Sequence, residues 1–215
     1  MFAVLAAAFF FASPATRANT FRENQITQLK RAVVIITTYD AEGKALLQGS
    51  GFFIDADQVV TSLHVIKNAN QIRLETFSGT TVTVQSVVAT NEENDIALLH
   101  LAQPCPDTTI LPLVSTPPHE GEAVILVSSP QGSRWKVTQG NVGLLWELSG
   151  IRTRLQITAA IAPGSSGGPV VNEQGQVIGI AALYVNSIQD LNFAVPVASL
   201  INLQTQARLT LVHAN

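Results

Sequence analysis

An all-β fold built from two antiparallel barrels is what this sequence predicts, and three observations carry the prediction. Apolar clusters are short and rich in β-branched residues, as in Ala32-Val33-Val34-Ile35-Ile36-Thr37-Thr38-Tyr39. Residues 71–77 and 80–88 alternate apolar and polar side chains at the two-residue period of a half-buried strand. Residues 104–118 hold five prolines and divide one set of such segments from another. Two strand sets joined by an extended linker make two barrels, and the cleft between them is the natural place for a site.

Taken in order, residues 2–12 are an uninterrupted apolar run followed by Ser13-Pro14-Ala15 and Thr16-Arg17-Ala18, both suited to cleavage. Residues 1–18 therefore read as a signal peptide, the run being shorter than the ~20 residues of a membrane span. An uncleaved anchor is the alternative. Residues 19–31 form an N-terminal arm, with 23–30 either a short helical turn or loose chain. The first strand set, 32–103, opens with 32–39 and a hairpin-like turn at Asp40-Ala41-Glu42-Gly43-Lys44. Strands follow at 45–48, 51–54, 58–61, 71–77 and 80–88, with a short buried one at 96–99. After the linker at 104–118, the second set, 119–195, has strands at 123–127, 135–138, 142–148, 152–157, 170–171, 176–185 and 191–195. A helix at 196–207 closes the chain, with Pro196 in its first turn and Val197, Leu200 and Ile201 on its apolar side.

Composition narrows the function. Of the 215 residues 47% are hydrophobic and 13% charged, the balance of a globular chain rather than a disordered one. A net charge of −3 lacks the basic excess of a nucleic-acid binder. The single cysteine, Cys105, excludes an intramolecular disulfide. Export without disulfides fits the periplasm, with secretion outside the cell as the alternative. The four histidines are scattered, so no motif calls for a metal, and none calls for a cofactor.

The chemistry gathers at Ala162-Pro163-Gly164-Ser165-Ser166-Gly167-Gly168-Pro169-Val170-Val171. Three glycines and two prolines around two serines exclude helix interior and make a tight turn that a substrate backbone can approach. Such a turn presents one hydroxyl and aims the N–H groups of Gly164 and Ser166 at one point, as acyl transfer requires. A Gly/Ser-rich surface loop has the same composition, and the turn alone does not separate the two. A nucleophilic serine needs a base and an orienter. His64 ends an apolar segment just after a strand, where a core histidine is the plain alternative. Asp95 stands immediately before Ile96-Ala97-Leu98-Leu99, as a strand-end cap or as the partner of an imidazole N–H.

Thr61-Ser62-Leu63-His64, Asp95-Ile96-Ala97-Leu98-Leu99 and Gly164-Ser165-Ser166-Gly167-Gly168-Pro169, in that order, resemble the chymotrypsin-like serine proteases and most closely their HtrA/Deg branch. Gly49-Ser50-Gly51-Phe52-Phe53-Ile54, Val137-Thr138-Gln139-Gly140-Asn141-Val142 and Asn192-Phe193-Ala194-Val195-Pro196 are similar to that branch too. The resemblance implies two six-stranded antiparallel barrels with a C-terminal helix. It also implies a serine endopeptidase with Ser166 as nucleophile, His64 as general base and acid, Asp95 as orienter, and Gly164 and Ser166 as oxyanion donors. By family position Ala160, Ile161, Ala181, Ala182, Leu183 and Asn192 line the primary pocket, without a carboxylate, so a small or medium aliphatic side chain is expected there. Polypeptides are the implied substrates, in envelope quality control or processing. Homo-oligomerisation and an unidentified activating partner stay open.

Three departures from the family pattern matter. Ser165 stands where digestive relatives carry an aspartate, and no Ile-Val-Gly-Gly start is present, so activation by that ion pair is not expected. Thr158 and Ala162 replace polar residues common in the branch. Too few residues follow Ser166 to hold a PDZ domain. A protease-like binding or chaperone module with an inactive oxyanion loop is the alternative function.

Overall fold

The structure is a computed structural model that describes residues 21–131, 133–148, 152–182 and 191–213. The proposed signal peptide, 1–18, and Leu183 of the proposed pocket lie outside the described residues.

After helix α1 (Glu23–Arg31), the first barrel is built from β1 (Val33–Tyr39), β2 (Ala45–Asp55), β3 (Gln58–Ser62), β4 (Gln71–Glu75), β5 (Thr81–Asn91) and β6 (Ile96–Leu101), with a single helical turn α2 (Leu63–Ile66) after β3. The second follows with β7 (Ala123–Ser128), β8 (Lys136–Leu148), β9 (Arg152–Ile157), β10 (Pro169–Asn172), β11 (Val177–Ala182) and β12 (Asn192–Pro196), and α3 (Val197–His213) ends the described chain. Both barrels are closed and antiparallel, in the orders β1-β2-β3-β6-β5-β4 and β7-β8-β9-β12-β11-β10. The second therefore repeats the topology of the first, strand for strand, although no sequence repeat announces it. Closure leaves neither sheet with an open edge.

Several elements are longer or more continuous than the sequence pattern predicts. Residues 45–48 and 51–54 belong to one strand, β2, because Gly49 and Ser50 pair with Ile36 and Ile35 without a break. Residues 135–138 and 142–148 likewise merge into β8, whose register shifts between Val142 and Leu145. Such a bulge bends a long strand around a barrel. The arm residues 23–31 form helix α1. The last helix continues past residue 207 to His213.

Three apolar clusters explain why strands differ in pattern. One fills the first barrel, with Val34, Ile36, Phe53, Val59, Leu74 and Leu99. Another fills the second, with Val124, Leu126, Leu155, Ile157, Val170 and Ile178. The third lies between the barrels and joins Val33, Ile35, Phe52, Val60, Ile96 and Leu98 to Ile125, Val127, Val171, Ile180 and Val195, with Leu29 of α1 and Leu200 of α3. Strands at this seam bury both faces, one inside their own barrel and one against its neighbour. That is why residues 33–36 and 96–99 read as unbroken apolar runs. β5, which meets the seam cluster through Ala89, is mostly exposed and keeps alternation over its first half. Among the described residues no helix is long and apolar enough to cross a membrane.

Phe52 and Phe53 are adjacent and fully buried, yet they point into different clusters. Truncating Phe52 to Ala leaves a cavity in the seam and is expected to destabilise the fold by about 3–5 kcal/mol. Urea unfolding of the two proteins measures it.

Candidate active site

The first barrel presents an acid–imidazole pair. β3 ends at Ser62 and the chain turns once through α2, which carries His64. The Leu63 N–H donates to the Asp95 carbonyl at 3.0 Å, and the His64 N–H donates to Asp95 Oδ1 at 2.7 Å. Asp95 Oδ2 stands 2.5 Å from His64 Nδ1. One carboxylate thus holds both the backbone and the ring of His64. Asp95 adopts φ 58°, a left-handed conformation that aspartate tolerates better than most side chains and that turns its carboxylate back over α2. With Nδ1–H donating to the carboxylate, Nε2 is the ring atom left to accept a proton.

The second barrel presents the serine turn. The Ser165 N–H donates to the Ala162 carbonyl and the Gly168 N–H to the Ser165 carbonyl, which closes the turn. It is docked on β11, since the Gly167 N–H donates to the Ala181 carbonyl at 2.9 Å and the Ala181 N–H to the Gly168 carbonyl at 2.8 Å. The Ser165 hydroxyl accepts from Ser128 Oγ–H at 3.0 Å and from the Ala162 N–H at 3.3 Å. It faces the barrel and is occupied, which leaves Ser166 as the candidate nucleophile.

Glycine is required at 167 because the two barrels touch there. A Cβ at Gly167 would meet the Ser50 carbonyl at 2.2 Å, Thr61 Oγ1 at 2.6 Å and the Ser62 nitrogen at 2.8 Å, and its φ is +85°. Ser62 begins the turn that carries His64, so the residue after Ser166 lies against the base of that turn. Among the described residues no hydrogen bond closes between Ser166 and His64. Apo enzymes often leave this contact open until substrate binds.

Ser50, on β2, is fully buried and ties the turn to the first barrel. Its N–H donates to the Ser166 carbonyl at 2.9 Å and its hydroxyl to the Gly164 carbonyl at 2.8 Å. The hydroxyl also accepts the Ser129 N–H at 2.8 Å, and the Ser50 carbonyl accepts Thr61 Oγ1–H at 2.8 Å. The Pro163 carbonyl accepts the Gln131 N–H at 3.0 Å. No described peptide is cis, so the Gly164 N–H points to the face opposite Gln131. Among the described residues neither the Gly164 nor the Ser166 N–H donates to a protein acceptor. Motif reading places Ser50 in a family-like segment without a role and passes over Gln131. A hydroxyl between two glycines in the middle of an apolar strand is the signal that marks Ser50.

Of the proposed pocket residues, Ala160, Ile161 and Asn192 come together. Asn192 Oδ1 accepts the Ile161 N–H at 3.2 Å, and the Ala160 carbonyl accepts Thr138 Oγ1–H at 3.0 Å. The side chains of Ala181 and Ala182 are buried in apolar clusters, and Ala181 reaches the site through its backbone. From β9, the buried Arg154 donates to Asn94 Oδ1 at 3.2 Å, a tie from the second barrel to the neighbour of Asp95 that motif reading also passed over.

The remaining candidates lie elsewhere. His100 pairs with Asp57 at 3.8 Å and His119 with Glu122 at 3.9 Å. Cys105 is buried at the start of the linker, and desolvation, reinforced by the charge of Asp107, pushes its thiol up, away from the reactive thiolate. No group of three His, Cys, Asp or Glu side chains converges among the described residues.

Two six-stranded barrels, an Asp-bound histidine from one and a Gly-framed serine turn from the other define the class of chymotrypsin-like folds. The model of the trypsin-like peptidase domain matches residues 49–180, and the chain belongs to that family. It is 32% identical over 180 residues to a probable periplasmic serine endoprotease, DegP-like, of Pseudomonas putida, covering 79% of this chain and 36% of that protein. It is 29% identical over 175 residues to the anti-sigma-I factor RsgI9 of Acetivibrio thermocellus, covering 80% and 24%. Among solved structures, the serine endoprotease from Yersinia pestis superposes with a TM-score of 0.73 at 26% identity, covering 86% of this chain and 65% of that one. The chain thus spans about a quarter to a third of the length of the curated relatives.

Replacing Ser50 by Ala leaves the Ser129 N–H and the Gly164 carbonyl buried without their partner. A loss of about 1–3 kcal/mol per orphaned group is expected in denaturant unfolding.

Proposed function

We propose that the protein is a serine endopeptidase that cleaves polypeptides through an acyl-enzyme. The observation that carries this reading is the double hold of Asp95 on His64, which orients the ring and leaves Nε2 as a base. Ser166 Oγ attacks the scissile carbonyl while His64 Nε2 takes its proton, and Asp95 stabilises the imidazolium. The carbonyl oxygen, now negative, is received by the N–H groups of Gly164 and Ser166. Collapse breaks the C–N bond as His64 returns the proton to the leaving amine. Water, activated by the same base, then hydrolyses the ester.

Ala160 and Ile161, backed by Asn192, favour a small or medium aliphatic side chain before the cleaved bond. Export to the envelope, with residues 1–18 as leader, is the location this reading favours, and the periplasmic relative supports it. A binding or chaperone module is the second reading, favoured by the missing Ser166–His64 hydrogen bond.

A fluorophosphonate probe separates the two. Covalent labelling of the wild type, abolished in both Ser166→Ala and His64→Ala, is expected for the peptidase. A folded wild type that never labels supports the binding module. On a peptide substrate, Asp95→Asn is expected to lower kcat by about 10⁴-fold by stabilising the wrong tautomer of His64.

A further inference from the structure

The connection between β7 and β8 belongs by sequence to the second barrel, yet Ser129 and Trp135, at its two ends, are anchored on the first. Gln48 Nε2–H donates to the Ser129 carbonyl at 2.9 Å, and the Ser129 N–H donates to Ser50 Oγ. Trp135 Nε1–H donates to the Val33 carbonyl at 3.0 Å. Phe77, just past β4, meets the Trp135 indole edge to face, with centroids 5.3 Å apart. The Arg134 guanidinium lies over the same indole at 4.9 Å and donates to the Glu75 carboxylate at the end of β4. Trp135 has φ 46°, a left-handed conformation that a bulky aromatic rarely adopts, so the surrounding contacts hold a strained backbone in place.

Gln131 lies inside this latched segment, and its N–H is the donor to the Pro163 carbonyl. Rotation of the Pro163–Gly164 peptide about its flanking bonds relates two orientations, of which the structure shows one. In the one observed, the carbonyl meets Gln131 and the Gly164 N–H faces the other way. In the flipped one, the Gly164 N–H would face the Gln131 N–H, two donors without an acceptor. Gly164, at φ +93°, puts little steric resistance in the way of a flip. The placement of Gln131 therefore selects the orientation.

We propose that Arg134 and Trp135, gripped by Glu75, Phe77 and Val33 of the first barrel, are positioning residues that keep Gln131 under the Pro163 carbonyl and so keep the Gly164 N–H available to the oxyanion. This rests on the reading of Gly164 and Ser166 as oxyanion donors. Releasing the grip lowers the fraction of molecules with a formed oxyanion site, and the acylation rate falls with that fraction. Both side chains of the ion pair are partly exposed, so salt weakens the grip.

The test compares wild type, Glu75→Gln, Glu75→Arg, Arg134→Glu and the double variant Glu75→Arg/Arg134→Glu. The readouts are the rate of fluorophosphonate labelling, kcat and KM on one peptide, and Tm. Each charge reversal is expected to slow labelling and lower kcat by about five- to tenfold, the scale of a surface pair turned into repulsion, with KM little changed. The double variant restores both, and Glu75→Gln falls between. Single variants that label at the wild-type rate overturn the inference while leaving the peptidase reading intact. So does a slow double variant whose Tm equals that of the wild type. A wild type that does not label overturns the peptidase reading and the inference with it.

Discussion

The contact between Ser50 and the serine turn holds the two halves of the site together. Ser50 is buried, and all its polar groups are engaged: N–H to Ser166, hydroxyl to Gly164 and from Ser129, carbonyl from Thr61. Each such bond adds only about 1 kcal/mol net, but breaking one strands a buried partner at a cost of about 1–3 kcal/mol. A network of this kind tolerates no partial assembly. It also explains the glycine at 167, because any side chain would push the turn off the Ser50 carbonyl. The distance from the serine to the histidine turn is thereby set by backbone contacts between barrels.

That arrangement divides the work. Barrel one contributes the imidazole and its carboxylate from the end of β3 and the start of β6, which pair directly through Ser62 and Ile96. Barrel two contributes the turn between β9 and β10. Neither set reaches the other without the seam cluster, in which Val33, Ile35 and Phe52 meet Ile125, Val127 and Ile180. Packing at that seam is therefore a requirement of the proposed peptidase site as well as a source of stability. Arg154 reinforces it from the far side by reaching Asn94, next to the carboxylate.

What the residues announce in advance follows from range of interaction. β1 and β6 are legible because burial on both faces writes itself locally, as runs of β-branched and aliphatic residues. The His64, Asp95 and Ser166 positions are legible because each sits in a short motif beside a strand end. The α2 turn is not, since four residues are too few to show a helical period. β8 looks like two strands because its bulge interrupts the alternation between Val142 and Leu145. The long-range partners of Ser50, which only its flanking glycines mark, and those of Gln131 and the Arg134–Trp135 grip are silent in the sequence for a different reason. They lie tens of residues away, and 102 positions separate Trp135 from Val33. No local period encodes such a pairing.

Ser165 bears on how firmly the turn is set. In this chain a hydroxyl, bonded to Ser128 and the Ala162 N–H, takes the buried place where digestive relatives carry an aspartate. Neutral bonds of this sort are worth about 0.5–1.5 kcal/mol each, whereas breaking a buried ion pair costs about 3–5 kcal/mol. The turn is thus held by several modest bonds rather than by one dominant charge pair. On the proposal made for Arg134 and Trp135, the balance between two orientations of the turn would then respond to small contacts, since about 1.4 kcal/mol shifts a population tenfold. In that regime a surface pair such as Glu75–Arg134, worth about 0–1 kcal/mol alone, would shift the population measurably. With hydroxyls in place of a buried charge, the setting of the serine turn rests on the contacts around it, from Ser128, Gln131 and Ala181 on its own barrel and from Ser50 on the opposite one.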